Sequence, residues 1–433
     1  MEFQQFIYQT ELSITTLSNE LLACAENAGK STQKSLAMQR ITEICLTLAK
    51  DILQKRYQTG EYTRFAICDP KLREIYAPEF RDRLVQSWLV GQIEPIIEKE
   101  LIEDTFANRL QKGTLKALSR TQTFMRRPNN AYYLQLDIQN FFNSIHRPTL
   151  AKQWFEVLQK HQNKSPQFYS QSRYCVIKYL SSNILNKDIT QNPYVVSGCK
   201  ALLSDIPKHK QLSSSPADTG LPIGAITSQL FANLYLSPLD HFAKHTLKIK
   251  GYTRYMDDIF ITGESAQILH EWKAEIAQFL TQLKLNLHPT KQHLNLCKLG
   301  ADYLGYKIYP HYRHLRTRNI KKTFRWLRFF NELASQSQSN QPVNFTFIPN
   351  DEYWISKAKQ PNSTIDYLVL QKMQAVINSY LSLLTHANQY QLRKRLYHKN
   401  FKLLTQWFIP KNAQYTSVKI KKRVLHEYLR SLF

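Results

Sequence analysis

A chain of 433 residues holds two or three domains with sizeable cores, and with 43% apolar residues and no window near 18 consecutive apolar ones it excludes a helical membrane span. The 58 Lys and Arg against 33 Asp and Glu leave a formal charge of +25, a surplus that points to nucleic acid as partner, with a basic but unrelated enzyme as the competing reading. The start MEFQQFIYQTELSITT has neither a basic n-region nor an apolar h-region, and the cysteines at 24, 45, 68, 175, 199 and 297 form no CxxC pair; the expectation is a cytoplasmic chain with free thiols, without a disulfide framework or zinc site.

Residues 1–60 carry helix-spaced apolar positions, Leu12, Ile14, Leu17, Leu21 and Leu22, then Ile41, Ile44, Leu46 and Leu48, around a break at Gly29. FAICDPKLREIYAPEFRDRLVQSWLVGQIEPIIEKEL predicts a short strand, a Pro-marked turn and a long amphipathic helix. AYYLQLDIQNFFNSI predicts a strand running into a helix. Residues 158–219, rich in Ser, Gln, Asn and Lys, predict a surface insertion ending at GLPIG. ITSQLFANLYLSPLDHFAKH then predicts a buried helix, GYTRYMDDIFITG a hairpin, ILHEWKAEIAQFLTQLKL an amphipathic helix and GADYLGYKIYP a Gly-bounded strand pair. Beyond residue 315 the pattern is helical and basic, interrupted by ASQSQSNQPVNFTFIPND; residues 311–328 carry seven Lys or Arg and no acid. No internal repeat is present.

Two acidic features sit in apolar frames. Asp257 and Asp258 lie side by side in YMDDIF, where strand alternation forbids both from being ordinary surface residues, although a polar hairpin turn accounts for them equally well. Asp137, between Leu136 and Ile138, needs a cation, a donor or solvent if it is buried, and a salt-bridged structural acid satisfies that need too. Were the three carboxylates to converge, they would suit two Mg²⁺ ions.

The order LDIQNFFNSI, GLPIGAITSQLFANLYLSPLD, YMDD and LGYKI, from residue 136 to 308, resembles the ordered motif series of reverse transcriptases. DPKLREIYAPEFRDRLVQSWL and FANRLQKGTLKA resemble their fingers motifs, and INSYLSLLTHANQYQLRKRL is similar more weakly. The resemblance implies an α+β right-hand polymerase, with fingers and palm over 61–310 (insertion about 158–219), after the helical region 1–60. A helical basic thumb and extension would occupy 311–433. It implies Asp137, Asp257 and Asp258 as catalytic carboxylates and metal ligands, with the Ile138 carbonyl assisting. It also implies Lys291 as the acid that protonates pyrophosphate, where a surface lysine is the ordinary alternative.

Phe142 matches the gate that excludes a 2′-hydroxyl, with Phe141 in the core. Arg109 and Lys112 would meet the triphosphate, and Ile223, Gly224 and Gln229 would line the nucleotide site. Tyr255, Met256 and Gly305 would hold the primer, and Arg316, Arg318, Lys321 and Lys322 the duplex backbone. For Trp326 and Tyr312, base stacking and thumb-core packing are both open, core packing being the expectation for Trp326.

The IGxxxSQ form at Ile223 to Gln229 is similar to reverse transcriptases of diversity-generating retroelements, in which an apolar residue in place of Gln is associated with misincorporation opposite template adenine. The long insertion and the C-terminal part depart from a compact member of that group, and antiphage-defence reverse transcriptases, which copy a dedicated non-coding RNA, are the alternative. A third reading is a non-catalytic RNA-binding scaffold, against which the three carboxylates argue. The resemblance further implies two Mg²⁺ ions (Mn²⁺ as the alternative), a structured template RNA, an RNA–DNA duplex and dNTPs. An accessory protein or a second copy is a further candidate partner, and the setting is the bacterial cytoplasm without membrane. No RNase H, HNH or protease signature is visible.

Overall fold

The computed structural model describes residues 10–27, 37–68, 71–165, 168–191, 194–198, 200–339, 343–349, 351–360 and 365–430. The Gly29 break, the Asp69-Pro70 turn and the Cys199 thiol lie outside these residues, while Cys24, Cys45, Cys68, Cys175 and Cys297 are free thiols. Two compact units divide the chain: residues 1–124 with 129–294, and residues 125–128 with 295–433.

In the first unit, α1 (Ile14–Asn27) and α2 (Ile41–Leu53) form where the apolar spacing demands them. Their buried faces, Leu17, Leu21, Cys45, Leu48 and Ile52, join one core with Trp88, Leu89 and Ile93. The latter belong to α3 (Phe80–Glu100), which follows the antiparallel pair β1 (Tyr62–Ile67) and β2 (Arg73–Pro78). Next come α4 (Thr114–Met125), β3 (Tyr132–Ile138), α5 (Arg147–Lys164), α6 (Gln171–Asn186) and β4 (Tyr194–Val196), which adds to β1 in parallel. The unit is completed by α7 (Ile226–His241), β5 (Gly251–Tyr255), β6 (Asp258–Gly263), α8 (Ala266–Gln282) and β7 (Leu287–Leu296).

Strands β5, β6, β3 and β7 form one sheet in that order, with β6 antiparallel to both neighbours whose register is defined, β5 and β3. Helix α7 is apolar nearly all round, with Leu230, Phe231, Leu234, Tyr235, Leu236 and Leu239 buried, as a helix enclosed by other elements must be.

The expected surface insertion over 158–219 is only partly irregular. Helix α6 buries Val176, Ile177, Leu180 and Leu185, positions at helical spacing that the surrounding polar residues obscured. Its Arg173 guanidinium is fully buried and donates to Glu20 on α1 and to Gln92 on α3, so α6 is part of the core.

In the second unit, β8 (Ala301–Tyr303), β9 (Tyr306–Ile308) and β10 (Arg313–Leu315) form an antiparallel sheet. The β8–β9 connection is Leu304-Gly305, both at positive φ, as a two-residue hairpin with strand-compatible twist requires. The helices are α9 (Thr317–Ser339), α10 (Glu352–Lys359), α11 (Tyr367–Thr385), α12 (Tyr390–Arg395) and, after the small pair β11 (Phe408–Pro410) and β12 (Val418–Ile420), α13 (Lys422–Arg430). The break between the two compact units falls after Leu294. The reason is local: the Tyr306 hydroxyl donates to the Leu383 carbonyl and Arg313 Nε to the His386 carbonyl, tying this sheet to α11 and its C-terminal cap. Trp326 packs against Phe330 and Trp354 in an aromatic core. Among the described residues no helix is long and apolar enough to cross a membrane.

Glu20 accepts hydrogen bonds from both Arg173 and the Trp88 indole N–H. Its removal leaves a fully buried guanidinium with Gln92 as its remaining side-chain acceptor. Glu20→Ala is expected to lower unfolding free energy by about 2–3 kcal/mol, and Glu20→Gln by less. Denaturant titration checks this; a loss below about 0.5 kcal/mol contradicts it.

Candidate active site

The β3–β6 register runs from Tyr132 opposite Gly263 to Asp137 opposite Asp258. Directly opposed residues of an antiparallel pair project to one face, so the two carboxylates meet there, an arrangement that costs energy unless a cation intervenes. Tyr255 also pairs with Asp258, which leaves Met256 and Asp257 as a two-residue turn, with Met256 at φ 58°. The adjacent charges thus sit at a strand end and in a tight turn, the geometry that frees both from strand alternation.

A buried ion pair holds this turn. Arg254 and Asp240 are both fully buried, with Arg254 Nε 2.7 Å from Asp240 Oδ1 and Nη2 2.6 Å from Oδ2. Arg254 Nη1 also donates to Asn233 Oδ1 and, at 3.0 Å, to the carbonyl of Met256. Asp257 therefore follows a residue whose carbonyl is anchored to α7. Burial first, and then the charges of Asp258 and Asp137, push the Asp257 carboxyl up from 3.8 to about 7.

On the other side of β3, Lys291 of β7 donates its Nζ to Asp137 Oδ2. Ile138 is buried at the end of β3. The chain then turns at Asn140, φ 46°, and Phe141 enters the core while Phe142 is half-buried. Phe142, Asp257 and Ile223 line one cavity with Arg73, Tyr76, Asn140, Lys210 and Leu212. Ile223 is set by its carbonyl, which accepts from Tyr76 N–H of β2 at 2.8 Å. Gly224, φ 125°, is required there, since a Cβ would stand 2.7 Å from the Tyr76 carbonyl oxygen. Gln229 is exposed on the first turn of α7, and Tyr255 accepts from the Thr114 hydroxyl.

Two assigned cations are engaged elsewhere. Arg109 is buried, donating to Glu98 and to the carbonyls of Ile102 and Thr105, and Lys112 donates to Glu103, so both brace their own loop. Neither lines the cavity; among the described residues the cations that do are Arg73 and Lys210, neither of which the motif series singles out. Arg73 stood in the quoted PKLREIY, and Lys210 was hidden in the polar segment. Gly305, Arg316, Arg318, Lys321 and Lys322 belong to the second unit. There Gly305 accepts from Arg316 N–H, Arg316 pairs with Asp302, and Arg318 and Lys321 are exposed on α9.

Asp137, Asp257 and Asp258 are hard oxygen donors of the type Mg²⁺ takes. Among the described residues no group of three or more acidic, His or Cys side chains is gathered closely enough to hold a metal ion by itself. Because Mg²⁺ commonly takes only one or two carboxylates and completes its shell with water and substrate phosphates, the donors fit an ion shared with a substrate.

The sequence model of the family described as reverse transcriptase (RNA-dependent DNA polymerase) matches residues 69–308. No curated protein matches the chain. Similar solved structures include telomerase from Candida albicans in complex with a TWJ fragment of telomeric RNA, at 13% identity and TM-score 0.38, over 87% of this chain and 61% of that one. Apo telomerase from Candida tropicalis is similar at 10% identity and TM-score 0.43, over 78% and 59%. The chain thus spans about three fifths of the length of those structures.

Because the Asp257 carboxyl titrates at 3.8 when unfolded and near 7 when folded, the folded metal-free protein binds the extra proton between those values. Stability from this group is therefore lost as pH rises from about 4 to 7, and the loss is complete above 7. Asp257→Asn is expected to raise the thermal midpoint at pH 8 more than at pH 4; equal shifts at both pH values contradict the assignment.

Proposed function

The chain belongs to the reverse transcriptase (RNA-dependent DNA polymerase) family, and on that premise we propose that it makes cDNA from a dedicated structured RNA by two-metal nucleotidyl transfer. The observation that carries this reading is the opposition of Asp137 and Asp258 across β3 and β6, with Asp257 in the turn between β5 and β6. Asp137, Asp257 and Asp258 would hold the divalent ions, two Mg²⁺ or Mn²⁺. When bound, such ions activate an attacking 3′-hydroxyl and neutralise charge on leaving pyrophosphate. Lys291, already on Asp137, is within the same group of side chains and supplies a proton to the leaving pyrophosphate. Phe142 closes the cavity wall against a 2′-hydroxyl, favouring dNTPs by exclusion.

Ile223 supports the narrower reading, error-prone copying of the diversity-generating type. Lining the cavity with an alkyl side chain, it offers the incoming nucleotide shape and no hydrogen bond, so discrimination there weakens. The second unit supports a partner of nucleic-acid character: Arg318, Lys321, Arg325 and Arg328 are exposed along one side of α9, at spacings of three and four residues. Such a stripe suits the phosphates of an RNA–DNA duplex, with strong salt dependence. The alternative, a defence enzyme copying its own non-coding RNA, is favoured by the second unit itself, which runs well past the family match at residue 308. A bacterial, cytoplasmic setting belongs to both readings and rests on the sequence resemblance.

In primer extension on an RNA template with Mg²⁺, wild type is expected to add dNTPs and Asp257→Ala to lose at least about a hundredfold in rate. Absence of incorporation by wild type with its cognate RNA, alongside equal RNA binding by both proteins, contradicts the enzyme and supports a scaffold. On an adenine-rich template Ile223→Gln is expected to misincorporate several-fold less than wild type, as read by sequencing the products. Matching error rates rule out the retroelement type.

A further inference from the structure

Among the described residues, the first unit joins its β1–β2 pair to its central sheet through the segment that follows α6. Strand β4 extends β1, and the Arg64 guanidinium lies 5.4 Å from the Tyr194 ring centroid and 5.9 Å from that of Tyr76. Ile206 and Leu212 are buried, so a short stretch of this polar segment is nailed down at both ends. On one side of Lys210, the His209 carbonyl accepts from the Asn140 side chain in the turn after β3, at 3.0 Å. On the other, the Leu212 N–H donates to Glu74 Oε2 of β2, at 2.6 Å. The other Glu74 oxygen is taken by Arg64. Lys210 is thus carried on backbone pinned to β2 and to the turn after β3, at the wall of the cavity that Phe142, Ile223 and Asp257 line.

Its charge is not spent. Arg109 and Lys112 are neutralised by Glu98 and Glu103, and Glu74 is consumed by Arg64 and Leu212, whereas among the described residues no acid forms an ion pair with Lys210 or with Arg73, which lines the same cavity. The same cavity is lined by Glu74, whose two oxygens are engaged, and by Asp257; two cations carried on different elements beside them make an anion site suited to several phosphates.

We propose that Lys210 is a polyphosphate-binding residue, supplied by the 206–212 segment, that contacts the triphosphate of the incoming nucleotide in the cavity that Asp257 also lines. The identity of the anion as a nucleotide rests on the polymerase reading; the anion site does not. The segment is then a working part of the nucleotide site, and its tie to Glu74 fixes where the second cation stands.

The test is equilibrium binding of inorganic tripolyphosphate, and of dATP against deoxyadenosine, to the full chain and to Lys210→Ala, Lys210→Arg and Lys208→Ala. Lys208 is exposed in the same short helical turn but does not line the cavity. Lys210→Ala is expected to weaken tripolyphosphate and dATP about tenfold and deoxyadenosine not at all, with Lys210→Arg within about twofold of wild type. Unchanged binding by Lys210→Ala, an equal loss in Lys208→Ala, or no tripolyphosphate binding by wild type overturns the proposal. Primer extension on the same proteins separates the two claims. Lys210-dependent binding without nucleotide addition leaves the anion site and removes the polymerase, and nucleotide addition with binding indifferent to Lys210 does the reverse.

Discussion

A guanidinium and a carboxylate that never meet water hold the Met256-Asp257 turn in place. Arg254 and Asp240 are both completely buried and joined by two hydrogen bonds, with Tyr252 donating a third to the same carboxylate. Desolvating two charges is expensive, and a buried pair of this kind is often no more stabilising than apolar residues of equal volume. Its value here is directional. Arg254 reaches the Met256 carbonyl, its own N–H donates to the Asp104 carbonyl, and its carbonyl accepts from Phe106 N–H, so one residue fixes the hairpin to α7 and to the loop before α4. Apolar replacements would fill the space and leave the turn unaimed.

That aim matters because the turn is electrostatically unfavourable by itself. Burial first, and then the charges of Asp258 and Asp137, raise the Asp257 carboxyl toward neutrality, and one lysine offsets part of the charge at Asp137. A site selected for stability alone would dilute these charges. Their retention within a rigid frame is what a polymerase needs if cations arrive together with the phosphates of its substrate. The same logic separates the cations: Arg109 and Lys112 are spent on loop structure, while Arg73 and Lys210 line the cavity with no ion pair among the described residues.

Motifs that encode local geometry were legible in the sequence. YMDD announced a turn, LDIQNFF a strand leading to a buried and a half-buried aromatic, LGYKI a glycine hairpin, and ILHEWKAEIAQFLTQLKL a helix with one apolar face. Trp326 was correctly expected in the core. What escaped depended on tertiary partners: Arg254 and Asp240 lay in quoted motifs, yet nothing in their spacing said that they would meet. Arg109 looked free because Glu98, on the preceding helix, is its partner only after folding. The polar composition of residues 158–219 concealed both α6, a core helix, and the pinned segment bearing Lys210. The β8–β10 sheet is tied by its hydrogen bonds to the C-terminal helices, although its LGYKI motif belongs to the series that precedes it.

The central claim is that the opposed Asp137 and Asp258, with Asp257, serve RNA-templated DNA synthesis. Sequencing the nucleic acids that copurify with the protein from cells tests it most directly, comparing wild type with Asp137→Asn. The account predicts a bound RNA with both proteins and DNA complementary to that RNA with wild type alone. Complementary DNA in equal amount with both proteins, or RNA without DNA in both, would contradict it.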